Sequence, residues 1–482
     1  MVPTNLLFIF SDQHSRRVLG CYGNPVVKTP HLDALAAKGT LFSDAYCNAP
    51  ICVPSRASMA TGRYVHDIGY WDNARPYYGA HPSWGHRLMD KGHRVTSIGK
   101  LHYRNTNDPN GFDEEIMPMH VIEGVGMLTI IRDPMPISRK FPLLVSEAGA
   151  GDNTYTDYDA KITEASVKWL SEEAGTYRDK PWTLFVSLVC PHPPWLAPRE
   201  FYDLYPHDKL PFPEAYGLDE RPNHPAYDDF RRFFGIEHEF DEATVRKVRA
   251  AYYAMTSFLD HNIGLVLRAL EDNGLTDNTR ILYSSDHGES LGEKGLFSKC
   301  NMLEESVGVP MILTGPDIPQ GKVVDTPVSL VDCHPTIIQA AGAAPHADDA
   351  DLPGVSLFDL ANGATPERTI IAEQHSAGAK SATFMLRKGK LKYVHHTDYP
   401  AQLFDLSSDP RELNDLADDP AHRSDLEACE VSLRAQLDPE EIDRRAKADQ
   451  ALRIDKRGGQ EEVVRKGSPG YTPAPGEKPT FI

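Results

Sequence analysis

The fold is decided by the run Asn5-Leu-Leu-Phe-Ile-Phe10, which passes directly into the polar residues Ser11-Asp-Gln-His14. A short apolar run that ends in polar residues is typical of a buried strand in a parallel sheet. Two later segments repeat this arrangement, Trp182–Cys190 before Pro-His-Pro-Pro and Thr279–Tyr283 before Ser-Ser-Asp-His-Gly. The three segments predict strands that end in polar loops.

Helical patterns lie between and around these strands, since apolar residues recur every three or four positions over Thr29–Gly39, Ala160–Leu170 and Thr244–Asn273. Strands that alternate with helices predict an α/β fold, in which helices sandwich a large, mostly parallel sheet. Ligands of such sheets bind at the carboxyl ends of the strands. The polar loops are therefore the first place to look for function.

The pattern changes after Gly354 to short alternating segments, with a turn at Arg387-Lys-Gly-Lys390. These segments predict a small antiparallel sheet, followed by a helix over Ser424–Gln436 that a capping box of Ser424 and Glu427 would start. The last residues are rich in proline and poor in apolar side chains. We predict a main α/β domain over 1–355, a small C-terminal α+β subdomain over 356–450 and an extended tail over 451–482.

The composition is that of a globular protein, with 40% hydrophobic and 25% charged residues in a chain of 482. A formal net charge of −19 argues against a nucleic-acid partner, which needs a basic surface. No apolar run approaches the about 20 residues of a membrane helix. The N-terminal run has no preceding Lys or Arg and no small-residue cleavage site, so we expect no signal peptide and a cytoplasmic location.

The seven cysteines show no repeated spacing and are expected to be reduced. One of them lies in the motif Cys52-Val-Pro-Ser-Arg56, which continues to Thr61-Gly-Arg63. From turn chemistry alone, Cys52 could be a core residue at a strand-to-helix turn. The motif resembles the C-x-P-S-R…T-G-R signature of the type I sulfatases of the alkaline phosphatase superfamily. The resemblance implies that Cys52 is the precursor of a formylglycine nucleophile.

A hydrated aldehyde suits this reaction because it carries two hydroxyls on one carbon. One attacks sulfur or phosphorus, and the second, once deprotonated, returns the residue to the aldehyde and expels the anion. An ordinary Ser or Cys would be left as an ester that needs a further attack. The resemblance implies that Arg56 hydrogen-bonds the formylglycine and offsets nearby negative charge.

Metal ligands are implied at the ends of two predicted strands. Asp12 follows the first strand and Asp286-His287 follows a later one; alone, such residues are more often helix caps or turn residues. Beside the Cys52 motif, they match a site for one divalent cation. The commoner sulfatase pattern has Asp where Gln13 stands and Asn where His287 stands. This change replaces an anionic ligand by an imidazole and shifts the preference from calcium toward manganese, so that either ion fits.

Four further residues resemble the family's substrate contacts. Gly99-Lys100-Leu-His102 resembles its G-K-x-H element, in which the lysine bridges nucleophile and substrate and the histidine contacts the nucleophile. Lys299 resembles the lysine that clamps the sulfuryl oxygens, and His192 resembles the histidine that donates to the leaving group. Alone, such residues are usually surface charges or structural histidines, but cations aimed at the transferred oxygens are what this transition state needs.

Asn73 and Gln13 resemble the choline sulfatase and phosphonate monoester hydrolase branch, where the asparagine contacts the transferred group; otherwise Asn73 would be a turn residue. The run Leu403-Phe-Asp-Leu-Ser-Ser-Asp-Pro-Arg-Glu412 is similar to a C-terminal element of the family. In this branch the tail often packs on a neighbouring subunit, which implies a homo-oligomer. A formylglycine-generating enzyme is implied as the maturation partner.

We therefore predict hydrolysis of a small-molecule sulfate ester by S–O cleavage. A phosphonate monoester or a phosphodiester is the alternative substrate, because the same tetrahedral geometry and charge would suit it. A catalytically silent protein with an unmodified Cys52 that binds metal and anions is the alternative of another class. The loops at 103–159 and 198–241 are predicted to shape the leaving-group pocket, and their aromatic residues are either a cage for a quaternary ammonium group or ordinary packing.

Overall fold

The structure, a computed structural model, describes residues 3–132, 138, 140–177, 179–467 and 469–479. Its strands are β1 (Asn5–Asp12), β2 (Gly39–Phe42), β3 (Ala45–Tyr46), β4 (Val95–Lys100), β5 (Glu114–Met119), β6 (Gly149–Ala150), β7 (Thr183–Pro191), β8 (Leu196–Ala197), β9 (Thr279–Ser285), β10 (Met311–Thr314), β11 (Lys322–Val324), β12 (Val328–Ser329), β13 (Thr369–Gln374), β14 (Thr383–Lys388), β15 (Leu391–His396) and β16 (Tyr399–Asp405). Its α-helices are α1 (Pro30–Ala37), α2 (Cys52–Thr61), α3 (Val65–Ile68), α4 (Trp84–Met89), α5 (Phe141–Glu147), α6 (Thr154–Glu172), α7 (Arg199–Tyr202), α8 (Pro225–Phe234), α9 (Glu242–Asp272), α10 (Glu304–Val307), α11 (Cys333–Ala340), α12 (Leu357–Ala361), α13 (Arg423–Arg434), α14 (Pro439–Asp455) and α15 (Gln460–Lys466).

The main sheet has eight strands in the order β11-β2-β10-β9-β1-β7-β4-β5. The predicted strand β1 lies near its centre and pairs in parallel with β7 and β9. Strand β10 runs antiparallel to both of its neighbours, so the sheet is mixed but mostly parallel, as predicted.

Both faces of the sheet are covered by helices. Successive side chains of a strand point to opposite faces, so one strand contributes to two buried clusters. Leu7 and Ile9 of β1 join one buried cluster together with residues of α1, α6 and α9. Phe8 and Phe10 join another, which contains residues of α2, α4, α11 and α12. The α/β sandwich predicted from the sequence is therefore confirmed, and its strands are apolar on both sides for this reason.

Strands β13 to β16 form a separate antiparallel sheet, as predicted for the C-terminal part. Helix α13 packs on it through Cys429 and Leu433. The helix begins at Arg423, and the residue before it makes no side-chain cap. The predicted capping box of Ser424 is therefore wrong, because Ser424 already lies inside the first turn.

Two predicted irregular segments contain regular structure. The stretch at 103–159 holds β5 at the edge of the main sheet, helix α5 and the start of α6, although 133–137 and 139 lie outside the described residues. Helix α14 runs to Asp455, past the point where the tail was predicted to begin, and α15 follows it. Among the described residues, no helix combines the length and the apolar character that a membrane crossing requires.

Candidate active site

The carboxyl ends of β1 and β9 bring the predicted metal ligands together. The two strands pair in register up to Ser11 and Ser285, so Asp12 and Asp286 emerge side by side. The backbone N–H of Gln13 donates to the Asp286 carboxylate over 3.1 Å, which ties the two strand ends together. The site is therefore where a parallel sheet is expected to bind its ligand.

Cys52 is the first residue of α2 and is 1% exposed. The end of the helix at which it lies favours negative charge, because the first backbone N–H groups of a helix have no partner within it. Its Sγ lies 3.8 Å from Asp12 Oδ1 and 3.3 Å from His287 Nε2. This sulfur marks the position that the oxygens of a formylglycine would take.

Four residues could hold one cation. Asp12, Cys52, Asp286 and His287 are all buried, and each offers a ligand atom within 4.8 Å of the others. The Nδ1 of His287 lies 3.1 Å from the Gly288 carbonyl, so it carries the proton and leaves Nε2 free as a ligand. Burial lowers the pKa of His287 to about 4, which keeps the ring neutral. Carboxylates with a neutral imidazole fit a divalent ion such as Mn²⁺ or Ca²⁺.

Arg56 lies behind these carboxylates and is buried. Its guanidinium donates to Asp286 over 2.8 Å and to Asp12 over 3.4 Å, and it also donates to the Lys100 carbonyl and the Ser187 hydroxyl. A contact with the side chain of Cys52 is not among its hydrogen bonds to described residues. Arg56 thus offsets the negative charge, as expected, and it does so by orienting both carboxylates.

Two lysines flank Cys52. Lys100 forms an ion pair with Asp12, and Lys299 Nζ lies 3.4 Å from Cys52 Sγ and 2.6 Å from Gln13 Oε1. Burial raises the pKa of Asp12, but Lys100, Lys299 and Arg56 outweigh it, so the pKa is well below its usual range. Asp12 is therefore ionised, as a metal ligand must be.

The side-chain amide of Gln13 is held between two charged groups. Its Nε2 donates to Glu289 over 2.5 Å, and its Oε1 accepts from Lys299. Glu289 also accepts from the backbone N–H groups of Leu291 and Ser298. Glu289 was not singled out from the sequence, although it lies three residues after Asp286 in the same motif. Its carboxylate fixes the amide of Gln13 and so the position of Lys299.

Two imidazoles lie on the same side of the site. His102 follows the end of β4, and its Nε2 lies 2.7 Å from the hydroxyl of Thr472. His192 follows β7, and its Nδ1 lies 2.6 Å from the Pro193 carbonyl. Burial lowers the pKa of both rings well below the usual range, and the nearby lysines add to the effect. Both histidines are therefore neutral in the free protein.

Asn73 contacts the nucleophile helix. Its Oδ1 accepts from the backbone N–H of Val53 over 3.0 Å, directly after Cys52. The preceding residue, Asp72, is clamped by Arg453 of α14 over 2.7 and 2.9 Å and by Gln450 over 2.8 Å. The C-terminal subdomain thereby holds the loop that carries Asn73.

The structure brings all the predicted site residues to one place and adds residues that local patterns missed. The additions are Glu289, Asp72, Gln450, Arg453, Thr472 and Asp159. Asp159 accepts from the backbone N–H groups of Val189 and Cys190 and so supports the loop of His192. The four aromatic residues that could form a cage, Tyr155, Tyr158, Trp195 and Tyr227, are all buried in the main core, and Tyr155 also packs against His192.

Two protein-family models match this chain. The Sulfatase family model matches residues 4–343, and the model "N-sulphoglucosamine sulphohydrolase, C-terminal" matches residues 292–439. The choline-sulfatase of Rhizobium meliloti (strain 1021) is 32% identical over 418 residues, which cover 84% of this chain and 81% of that protein. Human arylsulfatase K is 30% identical over 436 residues, which cover 84% of this chain and 77% of that protein.

A solved structure shows the same fold. The phosphonate monoester hydrolase of Agrobacterium radiobacter superposes with a TM-score of 0.72 at 23% identity, over 90% of this chain and 96% of that one. The family model covers most of the chain, and the relatives align along most of their length. The chain therefore belongs to the sulfatase family.

Proposed function

We propose that this protein hydrolyses a small-molecule sulfate monoester by S–O cleavage, with a formylglycine made from Cys52 and one divalent cation, Ca²⁺ or Mn²⁺. The observation that carries the proposal is the buried group of Asp12, Cys52, Asp286 and His287, with the ammonium of Lys299 3.4 Å from the Cys52 sulfur. The choline-sulfatase and arylsulfatase K relatives support sulfate esters as the substrate class.

The cation and the formylglycine hydrate would together supply an activated hydroxyl for attack on sulfur. The remaining work falls to the side chains of this chain. Lys100, paired with Asp12, and Lys299, beside residue 52, offset the charge on the sulfuryl oxygens as the S–O bond to the leaving group breaks. Arg56 orients the carboxylates of Asp12 and Asp286 through hydrogen bonds to both.

His192 is the proposed proton donor to the leaving oxygen. Its Nδ1 proton is engaged by the Pro193 carbonyl, so Nε2 needs a second proton before it can donate. The free site disfavours the doubly protonated, positively charged ring, because burial and the charge of Lys299 lower the pKa of His192. A bound sulfate ester brings negative charge beside the ring and so favours the imidazolium. His192 is then charged when substrate is present and returns to neutral after it donates its proton.

The bond that breaks can be identified by hydrolysis in oxygen-18 water. We expect the heavy oxygen to appear in the released sulfate and not in the alcohol or phenol, because attack occurs at sulfur. A matched reaction in ordinary water gives the mass baseline for both products. Label in the alcohol would indicate C–O cleavage and would contradict the proposed attack.

Phosphonate monoesters and phosphodiesters are a second candidate substrate class. The observation that admits them is the neutral side chain of Gln13 beside Lys299. It leaves the site with a charge that suits any monoanionic tetrahedral centre, whether sulfur or phosphorus. The silent alternative keeps the thiol of Cys52. Mass spectrometry of the tryptic peptide that contains Cys52 distinguishes it, since an active preparation must contain the aldehyde.

Three further features are proposals. Maturation would require a formylglycine-generating enzyme, because the aldehyde forms only after synthesis. A cytoplasmic location is supported by seven cysteines that are all free thiols. A homo-oligomer would have its subunit contacts on surfaces outside the site. Light scattering measures the oligomeric state directly.

A further inference from the structure

The segment of residues 469–479, called here the closing segment, packs against the active site of its own chain. Thr472 and Ala474 are 6% and 7% exposed, although the segment is rich in proline. The ring of Tyr471 lies 5.5 Å from that of Tyr155, and the ammonium of Lys140 lies over the Tyr471 ring at 5.2 Å. A segment predicted to extend toward a neighbouring subunit is thus anchored within the chain that carries it.

Thr472 contacts His102 and Tyr155 through different atoms. Its hydroxyl lies 2.7 Å from His102 Nε2, and its backbone carbonyl accepts from the Tyr155 hydroxyl over 2.5 Å. The Tyr155 ring in turn packs edge-on against His192, with centroids 5.6 Å apart and an interplanar angle of 67°. One residue of the closing segment is therefore connected to both imidazoles that face the substrate.

The hydroxyl contact determines which ring nitrogen of His102 is left available. A neutral imidazole has one donor and one acceptor nitrogen, and Thr472 engages Nε2. The other nitrogen, Nδ1, is buried and has no hydrogen-bond partner within the described chain. The hydroxyl therefore holds the rotation of the ring and leaves Nδ1 as the nitrogen that is available to a bound group.

We propose that Thr472 is a positioning residue for catalysis, which holds His102 through its hydroxyl and, through Tyr155, the ring of His192. This inference rests on the proposed function only for its kinetic consequence. The hydrogen bond itself can be tested in a protein that does not turn over.

The test uses three variants with nearly unchanged volume. Thr472→Val removes only the hydroxyl contact, Thr472→Ser keeps it, and Tyr155→Phe removes only the contact with the backbone carbonyl. Thr176→Val, at an exposed site in the turn that follows α6, is the matched control. All are prepared as full-length, metal-loaded protein and compared at equal conversion of Cys52.

We expect Thr472→Val to lower kcat/KM for a nitrophenyl sulfate by about 10- to 100-fold, the usual effect of removing a partner that orients a functional histidine. Thr472→Ser should restore most of this loss. Tyr155→Phe should make kcat/KM more dependent on the leaving-group pKa, since it loosens the ring packed against the proposed proton donor. Wild-type kcat/KM in Thr472→Val, or equal damage in Thr472→Ser, would overturn the proposal.

A spectroscopic measurement separates this inference from the proposed function. In protein with ¹⁵N-labelled histidine, a His102→Gln spectrum identifies the ring nitrogens of His102. Thr472→Val is expected to shift them and Thr472→Ser is not, whether or not the protein hydrolyses sulfate esters. Unchanged ring nitrogens in Thr472→Val would show that Thr472 does not hold His102.

Discussion

Asp286→Ala is expected to abolish turnover and bound metal together. Asp286 offers one of only two carboxylates in the four-residue metal group, and it is fully buried. Its loss leaves one carboxylate, one imidazole and residue 52, which is too little charge to hold a hard divalent cation. Since the proposed nucleophile depends on that cation, kcat/KM should fall to the background of a Cys52→Ala variant.

Metal content and kinetics must be measured on the same preparation. Elemental analysis of the wild type also identifies the ion as calcium or manganese. Asp351→Ala is the control, because Asp351 is exposed and pairs with Arg63 at the surface. Arg56 loses a partner in Asp286→Ala, so urea unfolding should verify that the variant is folded. Stoichiometric metal in a folded Asp286→Ala variant would contradict the assignment of this ligand.

Lys299→Met is expected to lower kcat by about 100- to 1,000-fold, the usual effect of removing one group that stabilises developing negative charge. The methionine keeps much of the length of the side chain but not its cation. Bound metal should be unaffected, because Lys299 contacts Gln13 and residue 52 and is not itself in the metal group. The pair of measurements, low kcat with full metal content, distinguishes this variant from Asp286→Ala.

The comparison is made with nitrophenyl sulfate and with Lys161→Met as the control, since Lys161 is exposed on α6. KM should change less than kcat if the cation acts mainly as charge develops in the transition state. A Lys299→Met variant with wild-type kcat would show that this lysine is structural, a partner of Gln13 alone.

Local patterns predicted the sheet and the centre of the site well, because each depends on residues close in sequence. Strands β1, β7 and β9 are short apolar runs, and their polar loops carry Asp12, His192 and Asp286. Parallel strands present their carboxyl ends at one edge, so residues far apart in the chain could be expected to meet there. The Cys52 motif lies within helix α2 and the two residues that follow it.

The contacts that support the site were not predictable in this way. Thr472 reaches His102 across 370 residues, and Arg453 reaches Asp72 across 381. Neither lies in a periodic pattern or a motif that points to its partner. Strand β10 looks like any other short apolar run, and only its pairing with β2 and β9 makes it antiparallel. The predicted capping box of Ser424 is wrong because a serine followed three residues later by a glutamate also occurs within the first turn of a helix.

The structure adds to the role that the resemblance implies for Arg56. The resemblance implies a hydrogen bond to the formylglycine, which stays a prediction, and the guanidinium also donates to Asp286, Asp12 and two groups of neighbouring strands. A planar group with five donors can hold two carboxylates and further acceptors at once in a fixed geometry. Its main contribution is therefore to the shape and charge of the metal site.

The most direct test of the central claim is kcat/KM for matched nitrophenyl esters of sulfate, a phosphonate and a phosphodiester, with metal-loaded protein and Cys52→Ala as the control. We predict a clear preference for the sulfate ester, lost in Cys52→Ala and proportional to the fraction of Cys52 converted to the aldehyde. A preference for the phosphorus esters would contradict sulfate hydrolysis and assign the same residues to phosphonate or phosphodiester cleavage. Activity that survives in Cys52→Ala would contradict the nucleophile itself.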